Sequence, residues 1–398
     1  MDQPSHAASG LPRIPRDRAD DYSNEIVARR RALCEGAAGR SLPYLGGAPM
    51  PTGEAKGNIE NLIGYMQIPV GIAGPLRVQT GAGLREVYVP MATTEGAMVA
   101  SYSRGMRLLG AAGVRARVLG EGLSQHPMLL YADAAAADRA GNWARHQFHE
   151  LAGELTEITR HGRLVQIVPQ TIGRRLILRL VFTTGDAIGI NMAANAADRI
   201  AQRVARATSA EGYYVHGQDV EKRSNARALV EGRGRRVVAE AHIPRAVLAE
   251  VMRVEPEAMA AIHRSYMVGY AQLGTHNWAV QIANGLAAVM LACGQDVAYL
   301  TESATGWLDL EVTKSGDLYA ALTLPSLIVG TVGGGTSLAS AQENLDILGC
   351  KGAGKVNTFA EILAATALAG DLSLMAAFCS HEFVAAHETL GRNRPATQ

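Results

Sequence analysis

The sequence predicts an α+β / α/β fold in which a compact α+β unit is inserted into a larger domain. Three observations carry this prediction. The chain has 398 residues, 48% of them hydrophobic, enough for two or three domains and a large core. Between about residues 127 and 215 a helical run gives way to alternating apolar segments and then to another helix. Beyond that stretch, strand-like segments alternate with apolar helical ones. The parts are then a tail and helical region over 1–45, the large domain over 46–126 and 216–398, and the inserted unit over 127–215.

Taken in order, "MDQPSHAASGLPRIPRDRADD" is polar and proline-bearing, the composition of a loose tail and not of a secretion signal. "YSNEIVARRRALCEG" reads as a charged helix closed by glycine, and "GGAPMPTGEAKGN" as a loop. An extended "VYV" precedes "PMATTEGAMVASYSRG", in which an amphipathic helix begins. Within the inserted unit, "DAAAADRAGNWARHQFHELAGELTEITRHG" is helical, "RLVQIVPQ" and "RRLILRLVFTTG" are strands, and a helix runs from about Asn191 to Ala210. "GRRVVAEAHI" is a strand, "LAAVMLACGQ" a buried helix, and "LYAALTLPSLIVG" one or two strands; two long alanine-rich helices finish the chain.

Thirty-eight Lys and Arg against thirty-seven Asp and Glu, with no basic block, argue against a nucleic-acid partner. Cys34, Cys293, Cys350 and Cys379 are scattered without metal-ligand spacing, which suits a reduced cytoplasm and no metal. The apolar stretches "AVQIANGLAAVMLACG" and "LAATALAGDLSLMAAF" are short of a membrane span or broken by polar residues, so no crossing is expected.

Several motifs could carry chemistry. In "TTEG" a threonine can cap the following helix and Glu95 can sit in its first turn, favoured by the helix dipole; a plain cap explains that stretch taken alone. In "TTGDAIGINMAAN" a strand meets a helix through Gly185 and Gly189, either a turn or an approach for a phosphate. Gly333, Gly334 and Gly335 between a strand and a helix are costly in chain entropy unless a ligand faces the bare backbone. Lys222, Asp296 and His387 stand out as polar groups, each with an ordinary reading as a loop lysine, a helix-end acid and a surface histidine.

Together these stretches resemble the catalytic domain of 3-hydroxy-3-methylglutaryl-CoA (HMG-CoA) reductase, particularly its class I form. The matching passages are "ENLIGYMQIPVGIAGPL", "PMATTEGAMVAS", "GDAIGINM", "VEGRGRRVVAEA", "ACGQD", "GTVGGGT" and "AGDLSLMAA", in the family's order over most of the chain. The resemblance implies a large domain around a long central helix, with an inserted ferredoxin-like domain that binds the cofactor. It implies Glu95, Lys222, Asp296 and His387 as catalytic residues, His387 on a mobile C-terminal segment. It places a nicotinamide cofactor, NADPH or alternatively NADH, along Asp186, Ala187, Ile188, Gly189, Ile190, Asn191 and Met192. Thr159 and Arg160 fall at its phosphate-bearing end, and Gly333 and Gly334 join the cofactor set. Ser101, Arg104, Arg107, Arg253, Arg223 and Asn284 are implied for the CoA thioester. A soluble homo-oligomer, dimer or tetramer, with active sites shared between subunits and no membrane partner is implied as well.

Reducing a thioester to a primary alcohol takes two hydrides, so the chemistry asks for a cation at the carbonyl oxygen and for proton donors. The resemblance gives Lys222 the first task. Glu95, if burial keeps it protonated, serves the second reduction, and His387 protonates the departing thiolate. Departures gather at the acyl end. Gln125 stands where the family has an arginine, and Ser265 where it has a lysine, with Arg264 beside it. Gln281 replaces a histidine, while Glu221 and Arg223 flank Lys222. Conversion of HMG-CoA to mevalonate is the leading expectation, reduction of another acyl thioester its rival, and a catalytically silent scaffold the alternative from another class.

Overall fold

The computed structural model describes residues 10–17, 20–218 and 220–380. Its centre is the helix Val356–Cys379, 24 residues long and buried along almost its whole length. Alanine, leucine and glycine let it sit inside the protein, and its two buried acids take backbone donors, although Asp371 Oδ2 is buried without a hydrogen-bond partner among the described residues. Glu361 accepts from Gly81 N at 2.9 Å and Val118 N at 3.0 Å, and Asp371 accepts from Gln281 N at 2.6 Å. Among the described residues it is the one helix long and apolar enough to cross a membrane, and 83% of its most apolar window is buried in the fold.

Eleven strands form a mixed sheet around it. They are β1 (Val70–Thr80), β2 (Gly83–Ala92), β3 (Val114–Gln125), β4 (Met128–Leu130), β5 (Arg163–Ile172), β6 (Arg175–Thr183), β7 (Gly212–Tyr214), β8 (Gly234–Ile243), β9 (Asn277–Trp278), β10 (Gly306–Val312) and β11 (Leu318–Leu327). The order is β7-β4-β6-β3-β8-β11-β10-β9, with β1 and β2 attached to β3, and β5 to β6. Strand β3 pairs with β8 along most of its length, and then Leu123, Ser124 and Gln125 pair with β6. A single strand therefore spans two hydrophobic cores. One surrounds the central helix, and the other runs from Leu123 to Val204 beneath helices Ala134–His146 and Ile190–Thr208.

Most expected elements form. The N-terminal helix, Asn24–Ala38, starts at a Ser23 cap and ends at a left-handed Gly39. The long helical run of the inserted segment divides into Ala134–His146 and Phe148–Gly153. The following helix is Ile190–Thr208, and "LYAALTLPSLIVG" holds one strand, β11. Of the two long alanine-rich helices expected at the end of the chain, the central helix is the one within the described residues; the second falls beyond them.

The helix Met98–Ala112 packs on the central helix through glycine. A β-carbon on Gly105 would penetrate the Ala369 carbonyl, and one on Gly370 would strike the Tyr102 ring. On the same helix Gly110 faces open space. Gly105→Ala is expected to lower stability by about 3 kcal/mol, while Gly110→Ala is expected to raise it by about 0.5–1 kcal/mol. Thermal melts of the two variants beside the parent check the pair.

Candidate active site

Asp186 receives three backbone N–H groups at the start of the central helix: Gly354 N at 2.8 Å, Lys355 N at 3.1 Å and Val356 N at 3.2 Å. Those donors belong to the first helical residue and the two residues before it, at a helix N-terminus, where a carboxylate is favoured. Its backbone carbonyl accepts from Thr331 N at 2.8 Å and Val332 N at 3.3 Å. Gly330 faces the same turn so closely that a β-carbon would lie 2.8 Å from Ile188 N. The buried Arg235 adds a further tie, reaching Gly185 O, Val329 O at 3.2 Å and Asn357 Oδ1 at 3.1 Å. The "GDAIGINM" turn, the glycine loop and the central helix are thus one unit.

The Asp186 to Met192 turn feeds the helix Ile190–Thr208 through Gly189, whose φ is 81° and which no side chain caps. Thr159 Oγ1 accepts from His161 N and Gly162 N at 3.1 and 3.3 Å. A β-carbon on Gly162 would lie 2.5 Å from Met192 Cε, so the Thr159–Arg160 turn rests against this helix start. Gly333 and Gly334 have φ of 80° and 57° and are exposed, with open space where side chains would be. Gly335 is close to Gly294, where a β-carbon would meet the carbonyl oxygen at 2.6 Å.

Contact with Gly294 joins the glycine loop to "ACGQD". Gln295 clasps Gly330 with both ends of its amide, Nε2 donating to Gly330 O at 3.0 Å and Oε1 accepting from Gly330 N at 2.9 Å. The next residue, Asp296, caps a short 3-10 turn with one oxygen, accepting from Ala298 N at 3.0 Å. Its other oxygen lies 3.0 Å from Lys222 Nζ. The ammonium also stands 5.0 Å from the centre of the Tyr299 ring. Lys222 itself has a φ of 57°, a left-handed conformation that costs about 1–2 kcal/mol in a residue with a β-carbon.

Beneath Lys222 lies a buried charge network. Arg233 donates to both oxygens of Glu302 at 2.9 Å, to Glu221 at 3.1 Å and to Ser124 O at 2.9 Å. Burial pushes the Glu302 carboxyl above its usual range, against the attraction of Arg233. Gln125 Nε2 donates to Glu221 at 2.5 Å and Tyr299 donates to it at 3.2 Å. Gln125 is therefore committed to the loop that carries Lys222. Ser265 bonds to Ala261 O of its own helix, and Arg264 is exposed.

Glu95 does not lie in a helix. The helix starts at Met98 after a left-handed Ala97, and Thr93 Oγ1 accepts from Glu95 N at 3.0 Å, capping the turn before it. The short left-handed step at Ala97 displaces the start, and Glu95 is exposed in the single chain. It lines a cavity of about 2360 Å³ with Ser101, Arg104, Arg107, Gln281 and Asn284. Ser101 and Arg104 both reach Ser373 of the central helix, Arg104 through Nε at 3.0 Å. Lys222, Asp296, Arg223 and Arg253 do not line this cavity. His387 lies outside the described residues.

The sequence reading named neither Arg233, Arg235, Glu302 nor Asp371. Arg233 immediately precedes β8 and Arg235 lies in it, two residues apart, the spacing that turns side chains of extended backbone to one face. Gly232 and Gly234 let that strand approach β11, since a β-carbon on Gly234 would lie 2.7 Å from Leu327 O. That "GRGR" pattern was the available signal.

The whole chain fits one family. The family model described as "Hydroxymethylglutaryl-coenzyme A reductase" matches residues 26–392. The chain belongs to the hydroxymethylglutaryl-coenzyme A reductase family. A protein of Haloferax volcanii named 3-hydroxy-3-methylglutaryl-coenzyme A reductase is 40% identical over 371 residues, covering 91% of this chain and 92% of its own. One of Pyrococcus abyssi with the same name is 39% identical over 375 residues, covering 92% of each. A solved class II reductase of Streptococcus pneumoniae, bound to NADPH in open conformations, superposes with a TM-score of 0.73 at 19% identity, covering 89% of this chain and 97% of that one. The mixed α/β fold is thus a reductase-family fold.

In this family member the central helix buries Asp371, whose carboxyl is pushed up to about 7 by desolvation while the Gln281 and Val280 amides pull it down. A folded-state pKa raised from 3.8 gives stability that is complete below about pH 4 and declines as pH rises toward 7, by about 4 kcal/mol. Asp371→Asn keeps an acceptor for the amides and has no charge to desolvate. It is expected to melt higher than the parent at pH 8 and by a much smaller margin at pH 4, read from thermal melts across pH.

Proposed function

We propose that this protein is an NADPH-dependent reductase that converts HMG-CoA to mevalonate and CoA by two hydride transfers. The observation that carries the reading is the Lys222–Asp296 pair, 3.0 Å apart, in which Asp296 follows Gln295, the residue that clasps the glycine loop and through it the Asp186 turn. Family membership and the named relatives support the same substrate.

The residues present fit a phosphate-bearing cofactor: a helix start without a side-chain cap, a glycine turn, and the exposed Arg160 beside it. Thr159, Arg160 and the Asp186 to Met192 turn would hold it, with Gly333 and Gly334 offering bare backbone. Two NADPH molecules, bound there in succession, would each supply one hydride. Lys222 places its ammonium at the thioester oxygen, and Asp296 fixes that ammonium in direction. Glu95 donates to the oxygen in the second reduction, and His387 protonates the thiolate that leaves between the two. The cavity lined by Arg104 and Arg107 accepts the CoA phosphates, with Arg253 and Arg223 at further contacts and Asn284 toward the acyl group.

Glu95 lines that cavity and Lys222 does not, which supports a homo-oligomer, dimer or tetramer, whose composite sites would bring them together. Fully exposed Ile63 in "ENLIGYMQIP" is consistent with burial against another copy. The four free cysteines suit the cytoplasm. Four antiparallel strands in the order β7-β4-β6-β5, with the helices Ala134–His146, Phe148–Gly153 and Ile190–Thr208, support a ferredoxin-like cofactor domain over 127–215. The low identity of 19% to a class II enzyme, beside the motifs that resemble the class I form, supports the class I reading.

A second reading, reduction of a different acyl thioester, is favoured by one observation: Gln125 is held by Glu221 and Ser265 by its own helix, so neither offers the substrate carboxylate a cation. NADPH oxidation with HMG-CoA decides between them. Turnover is expected, and Lys222→Ala is expected to lower kcat by about 100- to 1000-fold with the cofactor still bound. NADPH binding without HMG-CoA turnover, together with turnover of another acyl-CoA, would select the second reading.

A further inference from the structure

Lys222 is held at three points by one short helical stretch. Asp296 meets its ammonium at 3.0 Å, the Tyr299 ring lies 5.0 Å beneath that ammonium, and Glu302 Oε2 accepts from its backbone N–H at 3.3 Å. These three residues are spaced by three along the 3-10 turn Val297–Tyr299 and the helical turn Leu300–Ser303 that continues it. At about three residues per turn such a spacing puts side chains on one face.

Glu302 is fully buried, and both its oxygens also take Arg233 Nη1 at 2.9 Å. The same guanidinium reaches Glu221, the residue before Lys222, at 3.1 Å. One buried carboxylate thus fixes the lysine's own amide directly and its neighbour's side chain through Arg233. Lys222 is in the left-handed region, with φ 57°, where a residue bearing a β-carbon stays only if its surroundings hold it.

We propose that Glu302 is a positioning residue for Lys222, holding the lysine's backbone so that its ammonium points at the reacting oxygen. This rests on the reductase reading for its kinetic consequence and on geometry alone for the positioning. A neutral amide in place of the carboxylate loses the pairing with Arg233, and the loop relaxes away from its left-handed turn. An ammonium displaced by an ångström still leaves the thioester and cofactor bound but stabilises the developing oxyanion poorly.

The test uses the full chain, NADPH and HMG-CoA. Glu302→Gln is expected to lower kcat about 30-fold with both KM values within about 2-fold. Deuterium exchange in the peptide around Lys222 is expected to quicken about 10-fold. Because Glu302→Gln leaves the buried Arg233 with Glu221 as its remaining carboxylate partner, the double variant Arg233→Met with Glu302→Leu replaces the Arg233–Glu302 pair by packed apolar groups. It is expected to fold and to stay slow, with the same fast exchange. Recovery of kcat and of slow exchange in the double variant would overturn the proposal, since the carboxylate would then serve only to neutralise Arg233. Unchanged kcat in Glu302→Gln would overturn it as well. A parent protein that binds NADPH but turns over no HMG-CoA would sink the reductase reading, and the exchange rates of parent and variants would still decide the positioning.

Discussion

The carboxylate of Asp186 at the N-terminus of the central helix is the contact on which the rest of the site depends. Three amides at the N-terminus of a buried 24-residue helix, those of Val356 and of the two residues before it, share this one acceptor. The acceptor comes from a distant turn, so satisfying the helix also fixes that turn. Thr331 and Val332 then bond the Asp186 carbonyl, and Gln295 clasps Gly330. Position therefore passes from the helix to the Asp186 turn, to the glycine loop, and finally to Asp296 and Lys222. A carboxylate that would be an obvious ligand group in sequence is spent on this alignment.

Glycine makes the alignment close. Gly330, Gly335 and Gly294 sit where a β-carbon would press on backbone at 2.8 Å or less. Only Gly333 and Gly334 of the glycine run have open space around them. One part of the run thus serves packing and another part leaves the backbone bare toward solvent. The cost in chain entropy that made the run conspicuous has two separate causes.

The strands, the helix after "TTGDAIGINM" and the buried final helix were legible because apolar periodicity and glycine punctuation are local signals. Lys222 and Asp296 were legible as residue types, and the resemblance groups them, with Asp296 tying Lys222 to Glu95; no local signal pairs them, since their contact is closed by tertiary structure. Glu95 shows the limit of local rules: "TTEG" reads as a capped helix start, yet Ala97 turns left-handed and the helix begins later. Gln125 read as a missing cation because its partner, Glu221, is brought to it only when β3 passes between the two cores. The arginines of "GRGR" went unassigned because a strand's inward charges are costly unless paired. Their partners, Glu302 and Asn357, come from other elements.

Charge at the site decides what the Lys222 loop can do. Lys222 and Arg233 bring two positive charges, while Asp296, Glu221 and Glu302 bring three carboxylates. Arg233 and Glu302 are almost fully buried, so their attraction is screened little, whereas Lys222 and Asp296 are each close to half exposed. The strong interactions therefore lie below the loop and the weaker one at its tip. A lysine clamped by strong contacts at the tip would be spent on its own partners. With its backbone held from below and its ammonium only lightly paired, Lys222 would, on the proposed reductase reading, keep its charge available for an oxygen that becomes negative during reaction.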